Sequence, residues 1–200
     1  MESLHPQSAA AAPAVTRDIY TATATATATA FASNSNSPEN KYHKLHDKWN
    51  LWAHLPNEPD WVSLKNYKKI YLFSTVEETV AITESLPEDL ITKCMLFLMR
   101  DGILPMWEDP KNKNGGCFSY KVPNKYVCEV WRDLTYVLVG ETISTNSAFV
   151  DNVAGITISP KKHFCIVKIW MMNCDHQNPQ IVTNEIKNLG PQGCLFKVHL

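Results

Sequence analysis

Trp107 and Glu108 stand side by side in the run Asp-Gly-Ile-Leu-Pro-Met-Trp-Glu-Asp-Pro-Lys-Asn-Lys-Asn-Gly-Gly, residues 101–116. The pair sets a broad π-face beside a carboxylate, and Lys111 and Lys113 follow on a loop that reads as mobile and closes on two glycines. An indole face stacks on a nucleobase or attracts a cation. An ionised Glu only accepts hydrogen bonds, so it suits a ligand edge made of N–H donors. Together these groups could hold a flat, hydrogen-bonding, charged ligand. Taken alone, Trp-Glu is more often a hairpin with one packed Trp and one solvated Glu, so the rest of the chain has to decide.

A second indole, Trp61, ends the loop Leu-Pro-Asn-Glu-Pro-Asp-Trp at residues 55–61. Two prolines and an Asn hold that segment out of regular structure, which makes Trp61 either a clasp over the core or a ligand platform. Further candidates lie on two strands expected at 153–159 and 165–172. Ile156 and Ile158 share one face, and Cys165, Val167, Ile169 and Met171 extend it. Thr157, Ser159 and Lys161, with Ile166, Lys168 and Trp170, fall on the other. One side of this sheet is oily and the other carries hydroxyls, lysines and an indole.

The elements that must position these groups follow from periodicity and punctuation. Alternation predicts strands at 45–55, 68–73, 94–99, 103–107, 117–122 and 194–198, with Asp101-Gly102 turning the third into the fourth. Ser74 with Glu77 and Thr75 with Glu78 offer overlapping capping boxes for a helix that runs to about Leu86, where Pro87 stops it and starts a short second turn. Val127, Val130, Trp131, Leu134, Val137 and Leu138 form one stripe of a helix over 126–141, with Glu129, Arg132, Asp133 and Tyr136 facing outward. A further helix is expected at 180–189, ended by Gly190-Pro191. Successive strands with helices on one face make an antiparallel α+β domain.

Nineteen Lys and Arg against twenty Asp and Glu give a formal net charge of −1, so a polyanion must be met by a local cluster rather than a global field. The six cysteines form no C-x-x-C pair and no zinc-type spacing, which reads as reduced thiols of a cytoplasmic or nuclear protein with no metal. No apolar run approaches the roughly 20 residues that span a bilayer, so no membrane partner is expected. Residues 1–41 alternate Thr with Ala and then Ser with Asn, a composition too poor in apolar area to offset ordering entropy. They read as a disordered tail before a domain at 42–200; their weak likeness to a transit peptide rests on a single arginine, Arg17.

Trp-Glu-Asp-x-Lys-Asn-Lys-x-Gly-Gly, preceded by Asp-Gly-Ile-x-Pro-Met, resembles the cap-contacting hairpin of the eukaryotic translation initiation factor 4E family, and the likeness runs from about His43 to the C-terminus. The resemblance implies a curved antiparallel sheet with about three helices packed on one face and a slot for the 7-methylguanosine cap of messenger RNA on the other. Trp61 and Trp107 would sandwich the cationic base, Glu108 would read its N1–H and amino edge, and Trp170 would contact the methyl group. Ser159 and Lys161 stand where the family serves the phosphates, while Ile166 replaces a family lysine; Lys162 or Lys168 could supply that charge. Family members also dock a helix of a scaffold factor or binding protein on the opposite surface. Thr75-Val76-Glu77-Glu78-Thr79-Val80 resembles the motif used there, but Val80 replaces the anchoring Trp, and Arg132 and Tyr136 replace leucines. Val76 and Asp133 survive, so partner binding is expected to be altered or weakened. Neither catalysis nor a cofactor is implied. The competing expectations are a cap-hydrolysing enzyme, which would need a Glu-rich metal-holding helix, a thiol or metal enzyme, and an interaction module that kept the fold and lost the ligand.

Overall fold

Apolar residues, alternating with polar ones or in continuous runs, build seven strands among the described residues: β1 (Lys44–His54), β2 (Tyr67–Thr75), β3 (Met95–Arg100), β4 (Gly116–Pro123), β5 (Val153–Pro160), β6 (Phe164–Met171) and β7 (Leu195–Val198). They form one sheet in the order β2-β1-β3-β5-β6-β4-β7, with antiparallel neighbours throughout. The structure is a computed structural model that describes residues 42–54 and 59–199. The tail expected at 1–41 and residues 55–58 of the proline loop lie outside the described residues.

Four helices accompany the sheet: α1 (Val76–Ser85), α2 (Glu88–Lys93), α3 (Asn124–Val139) and α4 (Ser147–Asn152). α1 starts at the Thr75–Glu78 capping box, with Thr75 Oγ1 accepting from the Glu78 N–H and the Glu78 carboxylate accepting from the Thr75 N–H. The overlapping Ser74–Glu77 box does not form, because Glu77 turns back to the backbone N–H and Nδ1 of His43. The α3 stripe is as expected, with Trp131 buried among Val127, Val130 and Leu134. No helix among the described residues is long and apolar enough to cross a membrane.

Two expected elements are absent. Residues 180–189 hold only a single 3-10 turn, Pro179–Ile181. Ser144 Oγ donates to the Ile181 carbonyl and the Thr183 N–H to the Ile143 carbonyl, so groups a helix would pair internally are satisfied by a neighbouring segment. Residues 103–107 are turn and bend rather than strand. The short helix α4, capped by the Asn146 side chain on the Phe149 N–H, was not foreseen.

The sheet separates two apolar clusters by parity. Leu96, Leu98, Ile156, Ile158, Val167 and Ile169 point toward the helices. Phe97, Met99 and Trp170 point away from them and join Tyr67, Ile103 and Ala154 on a face that no helix covers. Gly102, at φ 77°, makes the turn that carries the chain off β3 onto that face.

Candidate functional site

Trp107 and Glu108 are held by a hydrogen-bonded knot of backbone. Asp109 accepts the Leu104 N–H at 2.9 Å and the Lys111 N–H at 2.8 Å. The fully buried Asn112 amide donates to the carbonyls of Leu104 at 2.9 Å and Met106 at 2.8 Å. Trp107 and Glu108 sit between pinned neighbours, Met106 and Asp109, and are therefore presented outward by a tied segment; Trp107 is 46% exposed. This corrects the expectation of a mobile loop. It also explains the missing strand at 103–107, since the polar groups a ladder would use are already occupied. The loop closes where Gly115 lies so near β6 that a Cβ there would stand 1.7 Å from the Met171 carbonyl oxygen.

Trp61 is 44% exposed, on the same side of the sheet. Its loop is braced by Asp60, whose carboxylate accepts the N–H groups of Val62 and Ser63. The Tyr67 hydroxyl donates to the Trp61 carbonyl at 2.9 Å. Behind Trp61 the imidazole of His54 lies parallel at 3.9 Å.

From there the ring contacts continue across the sheet. His54 meets Tyr67 at 4.8 Å, Tyr67 meets Phe97 at 5.6 Å, and Phe97 meets Trp170 at 6.3 Å. Trp170 meets His199 at 5.1 Å, and His199 stacks on Trp107 at 5.7 Å. Both exposed indoles are thus the ends of one unbroken aromatic arch. Glu108 belongs to the same locality: burial first, then the Glu108 and Asp60 charges, push the Tyr67 phenol up to about 12. Trp170 is only 2% exposed, so it lies beneath the face as a floor rather than upon it.

The hydroxyl and lysine residues are graded along β5 and β6. Thr157 pairs with Lys168, and Ser159 with Ile166, one rung further from Trp107. The Lys168 ammonium stands 5.4 Å over the Trp107 ring. Lys161 and Lys162 are exposed in the turn beyond these rungs, about 13 Å along the strand from Lys168 at ~3.3 Å per residue. Lys168 is the cation the structure brings to the indole, and Ile166 leaves an apolar rung between it and the turn lysines.

On the helix side, Val76 and Val80 are 45% and 43% exposed, one turn apart on α1. Glu84 follows one turn later and accepts from the Tyr136 hydroxyl at 2.8 Å, with Arg132 Nε 4.0 Å away. Arg132 also bonds Asp133 at 3.2 Å. Burial, then the Glu84 hydrogen bond, raises the Tyr136 phenol to about 12. All six cysteines are free, and burial pushes the thiols of Cys94, Cys128, Cys165 and Cys194 up, the opposite of what a nucleophile needs.

The family model for Eukaryotic initiation factor 4E matches residues 44–192. The chain belongs to that family. Among curated relatives, Eukaryotic translation initiation factor NCBP of Triticum aestivum is 33% identical over 72% of this chain, which spans 63% of that relative's length. Solved structures that share the 4E fold with it include the following two. Caenorhabditis elegans eIF4E-3, in complex with the 4E-binding protein Mextli and a cap analog, is 25% identical with a TM-score of 0.59, covering 66% of this chain and 76% of that one. Schistosome eIF4E, in complex with m7GpppA and 4E-BP, is 25% identical with a TM-score of 0.60, covering 68% and 75%. The antiparallel α+β expectation therefore holds for this 4E chain. Reading the sequence singled out Trp61, Trp107 and Glu108 but missed Asp109, Asn112, His54 and His199; the Asp-Pro and Asn signals of tight turns in 109–112 were the available clue.

Proposed function

We propose that this 4E-family chain binds the 7-methylguanosine 5′ cap of messenger RNA in translation initiation or its regulation. The observation that carries the reading is the aromatic arch that ends in two solvent-facing indoles, with the Glu108 charge felt at the Tyr67 hydroxyl that braces Trp61. Methylation at N7 gives guanine a delocalised positive charge, which draws the two indole faces as a cation would. The Glu108 carboxylate accepts from N1–H and the exocyclic amine, an edge that adenine does not offer. Trp170 supports the stack from below. Lys168 meets the nearest phosphate, with Ser159, Lys161 and Lys162 further along the same line. The chemistry is binding and positioning, without catalysis or cofactor.

The relatives with solved structures carry 4E-binding proteins, and the exposed Val76 and Val80 beside Arg132, Asp133 and Tyr136 make the matching surface here. The partner is a helix of a scaffold initiation factor or binding protein, held more weakly because Val80 supplies no aromatic anchor. Ile166 and Val80 are the departures on which a second reading would rest, a 4E-like repressor or interaction module with reduced cap or scaffold affinity; the family match favours cap binding over it. The free thiols favour a reducing compartment, cytoplasm or nucleus.

Equilibrium titration with 7-methylguanosine triphosphate and with GTP tests the first reading. The methylated ligand should bind more tightly, and equal affinities would remove the cationic sandwich. Glu108→Ala should abolish preference for guanine over adenine; full retention of that preference would reject the role given to the carboxylate.

A further inference from the structure

We propose that His199 is a positioning residue for the ligand stack, the backing ring that fixes the plane of Trp107. The inference rests on the reading that Trp107 stacks on a cationic base. An exposed indole turns about two side-chain torsions, and immobilising it on binding costs affinity unless it is already immobilised. The His199 imidazole lies behind Trp107 at 5.7 Å and within 11° of parallel, on the side away from solvent. It is itself held on three sides. The backbone N–H of His199 donates to the Gly115 carbonyl at 2.9 Å, the ring Nδ1 bonds the Asn112 carbonyl at 2.8 Å, and Trp170 packs on the ring at 5.1 Å. The knot that pins the two ends of the Trp-Glu step therefore also holds the ring behind the indole.

The hydrogen bonding selects the tautomer of the neutral ring. A carbonyl only accepts, so Nδ1 carries the proton and the neutral ring leaves a lone pair on Nε2, which is buried without a protein partner among the described residues. The groups that face the ring are Trp107 and Asn112 from the loop, and Trp170 and Lys168 from β6. Protonation would set an imidazolium behind an indole that already has the Lys168 ammonium 5.4 Å from its ring. The two positive charges would draw on the same π-system that the cationic ligand needs. Burial holds the His199 pKa below its ordinary value, against the Asn112 hydrogen bond, which favours the protonated ring, and with the Lys168 charge adding to the lowering. The ring is neutral at neutral pH, and affinity should fall only as pH drops through that lowered value.

The test is titration of the full chain with 7-methylguanosine triphosphate, wild type beside His199→Phe, His199→Ala and His199→Gln, from about pH 7.5 to 5.5, with thermal melts as the folding check. His199→Phe keeps a ring and should bind within about twofold of wild type at the upper pH, whereas Ala and Gln should weaken binding about three- to tenfold. Gln can keep the bond to Asn112, so its loss of affinity reports the missing ring rather than a missing tie. The ratio of wild-type to His199→Phe affinity should fall toward the acid end, since effects from Glu108, His54 and the ligand are common to both proteins. Wild-type affinity in both Ala and Gln, or a ratio that stays flat with pH, overturns the inference while leaving cap binding intact. A wild type that binds GTP equally well overturns the cap reading and this inference with it.

Discussion

On the helix-free face large aromatic side chains are offered to solvent by backbone tied in place, whereas across α1 and α3 the exposed apolar groups are two valines beside polar groups bound to one another. Before a planar ligand stacks on Trp107, the contact to displace is the Lys168 ammonium 5.4 Å over the ring. Tyr136 and Arg132 share Glu84, and a helix docking there would have to bury or rearrange that pairing. Burying a hydrogen-bonded polar set gains little unless every member stays satisfied. The comparison teaches that one fold presents two surfaces with different costs of entry, low for a rigid flat ligand and higher for an apolar helix.

The largest break in this contrast should come from Trp107→Ala. Losing one desolvated cation–π and stacking face removes about 2 kcal/mol or more, roughly 30-fold in affinity for 7-methylguanosine triphosphate, and an affinity within twofold of wild type would mean the indole is not a platform. Next comes Asn112→Ala, which leaves the Leu104 and Met106 carbonyls without their donor. A cost of about 1–3 kcal/mol is expected, read as a melting shift of roughly 2–4 °C per kcal/mol together with weaker ligand binding; an unchanged melt would show that the knot does not organise the loop. Val80→Trp should sharpen the other side by restoring an aromatic anchor, strengthening capture of an amphipathic scaffold helix about tenfold without altering ligand affinity. The smallest effect concerns Tyr136, raised to about 12 in the folded chain against an ordinary 10. A raised phenol contributes stability that is complete below the unfolded value and is lost as pH climbs through the folded one. Glu84→Gln should bring its ultraviolet titration down toward 10, and an unmoved titration would deny the pairing.

Much of this was legible in the chain. The α3 stripe and the Thr75–Glu78 box are local patterns, and local patterns survive folding because their partners lie three or four residues away. The alternation of β6 likewise placed Trp170 and Lys168 on the face opposite Val167 and Ile169. What failed was decided by distant groups. Residues 180–189 carried a helix stop at Gly190-Pro191, yet Ile143 and Ser144 captured their backbone. Residues 103–107 looked extended until Asp109 and Asn112 took their polar atoms. At the site, Trp107 and Glu108 stood out by type and adjacency. His54 and His199 did not, because a stack between rings from separate segments leaves no spacing to read.

Five of the six indoles of this chain divide into two optical populations, Trp52 being intermediate between them. Trp49, Trp131 and Trp170 are sealed from water, and Trp61 and Trp107 are not. Emission from the wet pair falls at longer wavelength than emission from the dry rings, so a ligand captured between Trp61 and Trp107 should darken the red side of the spectrum and leave the blue side standing. Occupancy would then appear as a change in the colour of the emission as well as its brightness.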